Sequence, residues 1–146
     1  MAATLSDELH QALIRDHFRR PRNRGPLDPP AASGHAHNRF CGDTVKMWAR
    51  IEGGRIAEVS FDGRGCSISL AAASMITALV RGKAVDEVAE LRHALTQGLA
   101  PDGPALPKKV GDLRALAGVR RFPSRVRCAL LPFEALEEAL QGCCAD

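Results

Sequence analysis

Two alternating runs joined by a glycine pair constrain this chain more than any other feature. In the first, Val45, Met47, Ala49 and Ile51 alternate with Thr44, Lys46, Trp48 and Arg50; in the second, Ala57, Val59 and Phe61 take every other position. A period of two places the apolar residues of a strand on one face, so each run predicts a strand with one side on a core. Glu52-Gly53-Gly54-Arg55 predicts a tight reversal between them and hence an antiparallel hairpin, with Met47 and Ala57 near the middle of its arms. The hairpin leads from Cys41 to the glycines and back to Cys66, so both cysteines are expected at the same open end of the sheet.

A half-apolar hairpin needs cover, and the rest of the chain supplies helical periodicity. Leu5, Leu9, Ala12, Leu13 and Phe18 predict a first helix, capped by Thr4 or Ser6 and ended near Arg20 by Pro21. Residues 26–38, rich in Pro, Ala, Gly and Ser, read as an irregular surface connection carrying His35 and His37. Leu70, Ala71, Met75, Ile76, Leu79 and Val80 mark a helix beginning at Ser67, with Gly82 beyond its end, and Val85–Leu99 reads as a third. Pro101, Gly103, Pro104 and Pro107 then predict a mobile loop reaching Lys108 and Lys109, and Leu113–Val119 a short helix. Ser124 is expected to cap a last helix that Pro132 kinks or divides before Phe133–Leu140, and residues 142–146 are expected to fray.

Composition bounds the function. At 146 residues and 45% hydrophobic, the chain fits a single domain, residues 1–146 with an ordered core of about 5–140. The net charge of +3 and the absence of tyrosine argue against a base-stacking surface, so no nucleic-acid partner is expected. The basic run Arg19-Arg20-Pro21-Arg22-Asn23-Arg24 reads as a solvated helix end or a contact for an acidic partner. No apolar run approaches the ~18 residues of a membrane span, and the first residues lack an export pattern, so a cytoplasmic protein is expected. Five cysteines, 41, 66, 128, 143 and 144, then point to metal or sulfur chemistry rather than a disulfide framework.

Cys66 stands where a strand pattern gives way to a helical one, facing backbone N–H groups and the positive end of a helix dipole. For one cysteine the ordinary reading is a buried residue after a strand-to-helix turn. Cys41, Asp43, Cys66 and Cys128 together, however, offer three thiolates and a carboxylate, a full set for a tetrahedral divalent metal such as zinc. An oxygen ligand among sulfurs suits a site that opens. Arg125 and Arg127 flank Cys128; Arg125 is within reach of Asp43 or Cys41 on this reading, and Arg127 reads equally as a solvated helix face.

Asp16-His17-Phe18 with Pro21-Arg22-Asn23, Cys41-Gly42-Asp43, Gly63-Arg64-Gly65-Cys66-Ser67-Ile68-Ser69 and Phe122-Pro123-Ser124-Arg125-Val126-Arg127-Cys128-Ala129 occur in order. Taken together, these motifs resemble the NifU/IscU superfamily of iron–sulfur cluster assembly proteins. The long gap from Cys66 to Cys128, and Arg127 where IscU-type scaffolds have histidine, resemble the SufU branch. Arg39-Phe40 before Cys41, where relatives commonly have a proline, and the pair Cys143-Cys144 depart from the pattern. The resemblance implies an α+β fold, a small antiparallel β-sheet packed against several α-helices. It also implies zinc held by Cys41, Asp43, Cys66 and Cys128, with Cys41 accepting persulfide sulfur from a SufS-like cysteine desulfurase; Arg125, from its place one turn from Cys128, is the other catalytic candidate. Cluster assembly proteins would take the sulfur onward. The alternative is an IscU-like scaffold assembling a transient [2Fe–2S] cluster on the same ligands.

Overall fold

A computed structural model of the chain describes residues 5–29, 31–39 and 42–144, and within these limits the fold is α+β. Helix α1 (Leu5–Arg19) is followed by strands β1 (Ala32–Asn38), β2 (Asp43–Glu52) and β3 (Arg55–Arg64). Helices α2 (Ser67–Val80) and α3 (Val85–Gly98), a 3₁₀ run (Lys108–Arg121) bent at Gly111, and helix α4 (Pro123–Cys144) complete it. The strands form one antiparallel sheet in the order β1-β2-β3.

The expected hairpin is present. Gly53 and Gly54 both adopt positive φ (59° and 77°), the conformation a two-residue hairpin turn with the twist of its strands requires. A shift of register between Arg50 and Ile51 places Met47 opposite Phe61, where an unbroken pairing from the turn would have set it opposite Ser60. Both side chains are fully buried, so the irregularity seats the two largest fully buried residues of the arms together in the core. Val45, Met47 and Ala49 face inward; Thr44 and Lys46 face out.

The stretch 26–38 is not wholly irregular, for its second half is β1. Ser33, His35 and His37 are exposed, while Gly34 and Asn38 are buried. The period of two is there, but glycine, alanine and asparagine hold the inward positions and give no apolar signal. Gly34 is small because α4 crosses it closely: a Cβ there would lie 2.5 Å from Ala139 N and would also strike the Ala135 carbonyl.

Helix α2 is the centre of the molecule, with Ala71, Ala72, Ala73, Met75 and Ile76 all essentially inaccessible. Its small residues allow α1, α4 and the 3₁₀ run to pack closely around it. Helix α4 is not divided by Pro132. That residue removes a single hydrogen bond, to the Cys128 carbonyl, and the burial of Ala129, Leu131, Phe133 and Leu136 on either side carries the helix through. It begins at Pro123, a position suited to a residue without an N–H, so Ser124 lies inside the helix and does not cap it. It also runs on to Cys144, so the expected fraying at 142–144 is not observed. Thr4, the side chains of Ser6, Cys143 and Cys144, and residues 145 and 146 lie outside what the structure describes.

Candidate metal site

Three of the four expected ligands meet where the open end of the sheet adjoins the N-terminus of α2. Asp43 is the first residue of β2, Cys66 the N-cap of α2, and Cys128 lies in the second turn of α4. One donor atom from each lies within 4.8 Å of the others, with Asp43 and Cys128 buried and Cys66 half-buried. The hairpin brings strand start and helix start together, as its pairing requires: Thr44 is opposite Arg64, and Gly65 and Cys66 follow directly. Cys41 and Phe40 lie outside the described residues. Cys41 precedes Asp43 by two positions in the sequence, beside Gly42, whose N–H donates to the Asn38 carbonyl at 2.8 Å.

The carboxylate of Asp43 is the hub. Its Oδ1 accepts from the Cys66 backbone N–H (3.0 Å), and its Oδ2 accepts from Ser69 Oγ (2.6 Å) and from the Cys66 thiol (3.2 Å). Burial pushes this carboxyl upward, but the hydrogen bonds from Ser69, Cys128 and Cys66 outweigh it and hold the group below its ordinary value. Cys66 Sγ accepts from the Ser69 backbone N–H (3.5 Å), capping α2 with sulfur. Asn38 Nδ2 donates to Cys128 Sγ (3.8 Å) from a site opposite Asp43 in the β1–β2 register.

This donor set fits a metal. Two thiols and a carboxylate converge, and the carboxylate accepts hydrogen bonds from both thiols, which occupy positions a cation takes when the sulfurs are deprotonated. Asp43, Cys66 and Cys128, with Cys41 proposed as the fourth, would hold the ion.

The arginines divide. Arg125 is exposed, and its guanidinium makes no hydrogen bond or ion pair with Asp43, Cys66 or Cys128. Arg127 is exposed as well. In the basic run, Arg22 pairs with Asp16 (2.6 Å) and Arg24 with Asp62 (3.2 Å), so these two charges are already answered within the chain. His35 and His37 lie on the sheet face opposite to Asn38 and Asp43, away from the site. Asn38 and Ser69 are the site residues that sequence reasoning did not single out. Ser69 had a signal, standing three positions after a helix-capping cysteine, whereas Asn38 had none. Among the described residues, no helix is long and apolar enough to cross a membrane.

Comparison with known proteins agrees with this geometry. The family model described as the NifU-like N-terminal domain matches residues 9–129. The zinc-dependent sulfurtransferase SufU of Bacillus subtilis is 34% identical over 92% of this chain and 90% of its own length. The iron–sulfur cluster assembly scaffold protein IscU of Streptococcus pyogenes is 33% identical over 97% of this chain and 88% of its own. A solved structure of a candidate cluster assembly scaffold for the SUF system of Fervidobacterium islandicum superposes with a TM-score of 0.80 at 28% identity, over 88% of this chain and 93% of that one. With the motifs, the fold and these relatives in agreement, the chain belongs to the NifU-like N-terminal domain family.

Proposed function

We propose that this protein serves iron–sulfur cluster assembly as a zinc-dependent sulfur acceptor of the SufU type, taking persulfide sulfur from a cysteine desulfurase on Cys41. The observation that supports this most is the meeting of Asp43, Cys66 and Cys128 around one point, two residues from Cys41 in the sequence. Zinc, when bound, supplies a charge that keeps thiolates deprotonated and guarded. The chain's own residues would do the rest. Asn38 and the start of α2 donate hydrogen bonds to the sulfurs of Cys128 and Cys66, and Asp43 stays anchored to α2. Cys41 then acts as nucleophile. Its thiolate attacks the outer sulfur of the desulfurase persulfide, a new S–S bond forms on Cys41, and the desulfurase cysteine leaves as thiolate, with no net oxidation. Arg125, exposed beside this end of the molecule, is available to the incoming partner.

The scaffold reading has support of its own in the IscU relative, whose identity is nearly the same as that of SufU. Arg127 beside Cys128, in place of the histidine of IscU-type scaffolds, favours the acceptor.

The test is incubation of zinc-loaded protein with an active cysteine desulfurase and cysteine, followed by peptide mass spectrometry without reductant. Added sulfur on Cys41 is the expected outcome. An unmodified Cys41 beside a working desulfurase rejects the acceptor reading, and an iron–sulfide chromophore after anaerobic reconstitution would then favour the scaffold.

A further inference from the structure

Asp43 is the oxygen donor of the site, and oxygen donors are the ones expected to leave zinc. The surroundings of this carboxylate oppose departure. It is 1% exposed. Oδ1 is held by a backbone N–H at the start of α2, and Oδ2 by the Ser69 hydroxyl, itself fully buried. On the remaining side lies Gly65, where a Cβ would come within 2.6 Å of Asp43 Cγ. The thiol hydrogen bond from Cys66 is lost when that sulfur is deprotonated to bind a metal, whereas the hydroxyl and the N–H donate in either state.

We propose that Ser69 is the positioning residue that keeps Asp43 a fixed ligand: its hydroxyl ties Oδ2 to α2, so that the carboxylate would be presented to a bound metal in one orientation. The inference rests on the metal reading of the site and deepens it: Asp43 would stay at the end of α2 whether or not a metal is held there. Partners that orient a metal ligand typically change metal affinity 10- to 100-fold when removed. Ser69 belongs in that class because its hydrogen bond to Asp43, at 2.6 Å, is shorter than either of those from Cys66.

The experiment is a double-mutant cycle on the full-length protein. Zinc release to a chromophoric chelator is timed for wild type, Ser69→Ala, Asp43→Ala and the double variant. Ser69→Ala is expected to speed release by about 10- to 100-fold, to add nothing once Asp43 is alanine, and to recover in Ser69→Thr, which keeps the hydroxyl. Cadmium NMR of the cadmium-loaded proteins should show Ser69→Ala shifted toward Asp43→Ala. Release unchanged by Ser69→Ala, or accelerated by the same factor in the Asp43→Ala background, overturns the proposal while leaving the metal site intact. Wild-type protein that takes up no zinc, or Asp43→Ala that releases it no faster, overturns the metal reading itself. Should Ser69→Ala not fold, NMR of wild type decides. A slowly exchanging Ser69 hydroxyl proton present both with zinc and after its removal supports the proposal, and its disappearance on removal refutes it.

Discussion

The carboxylate of Asp43 occupies the space that a side chain on Gly65 would need, with Cγ 2.6 Å from the position of a Cβ. Asp43 cannot swing aside cheaply, because both its oxygens are hydrogen-bonded to α2. Gly65 also has a backbone (φ 154°) that residues with side chains rarely adopt. Gly65→Ala is therefore expected to destabilise the zinc-free protein by about 1–3 kcal/mol through strain alone and to weaken zinc binding as well. Urea unfolding of the stripped protein and a zinc titration measure the two effects. An unchanged unfolding midpoint would mean that the strand and the helix start are less firmly joined than the geometry implies.

A second glycine makes a prediction about the fold rather than the site. Gly34 of β1 meets backbone atoms of α4, which cannot rotate out of the way as a flexible side chain would. Gly34→Ala is expected to push α4 off the sheet, at a cost of about 1–3 kcal/mol or more. Because Asn38 closes the same strand beside Cys128, zinc release should quicken too. Guanidinium unfolding would check the first part; a wild-type midpoint would contradict the close crossing.

These glycines also mark where the sequence was and was not readable. The hairpin was legible because Val45, Met47 and Phe61 advertise their face, and the convergence of Asp43 with Cys66 follows from the hairpin alone. Strand β1 was not, because α4 approaches so closely that its inward positions hold Gly34, Ala36 and Asn38, residues that carry no apolar signature. Pro132 misled for a different reason. Local propensity disfavours proline inside a helix, yet the packing of Leu131, Phe133 and Leu136 outweighs one lost hydrogen bond. Ser69 stands at a capping distance from Cys66, but the role of its hydroxyl was not legible, because its partner, Asp43, is remote in sequence and only the three-dimensional pairing shows it.

His17 has both ring nitrogens engaged, with Ser74 Oγ at 2.8 Å and Asp112 Oδ2 at 2.9 Å, and is 1% exposed. Ser74 Oγ in turn accepts from the Arg22 backbone N–H (2.8 Å), so one imidazole ties α1, α2, the 3₁₀ run and the segment after Pro21 together. His17→Ala leaves a cavity and a buried hydroxyl short of a partner, and a loss of about 1–3 kcal/mol or more is expected from the second effect alone. Asp112→Ala should cost less, because the Asp112 side chain is 53% exposed and water can replace it at the surface. Thermal unfolding of both variants tests the order, and zinc stoichiometry should be unchanged in each. A zinc deficit in His17→Ala would connect this residue to the site.

The ion pair between Asp16 and Arg22 gives a prediction with a definite sign in pH. The hydrogen bond from Arg22 is the main cause holding the Asp16 carboxyl below its ordinary value; slight burial opposes it, and the charges of Arg22, Arg20 and His17 add to it. A carboxyl lowered in the folded state stabilises the fold above its unfolded pKa, and that contribution disappears as pH falls through the folded value. Asp16→Asn should therefore melt slightly below wild type near pH 7, and the gap should close on acidification below the ordinary carboxylate range, as the wild-type carboxyl takes up its proton. Both side chains are partly exposed, so the gap should be small and shrink with added salt. Melting curves across that range at low and high salt provide the check. A gap that persists at acid pH would assign the loss to packing of the α1 end against the following turn instead of to the charge.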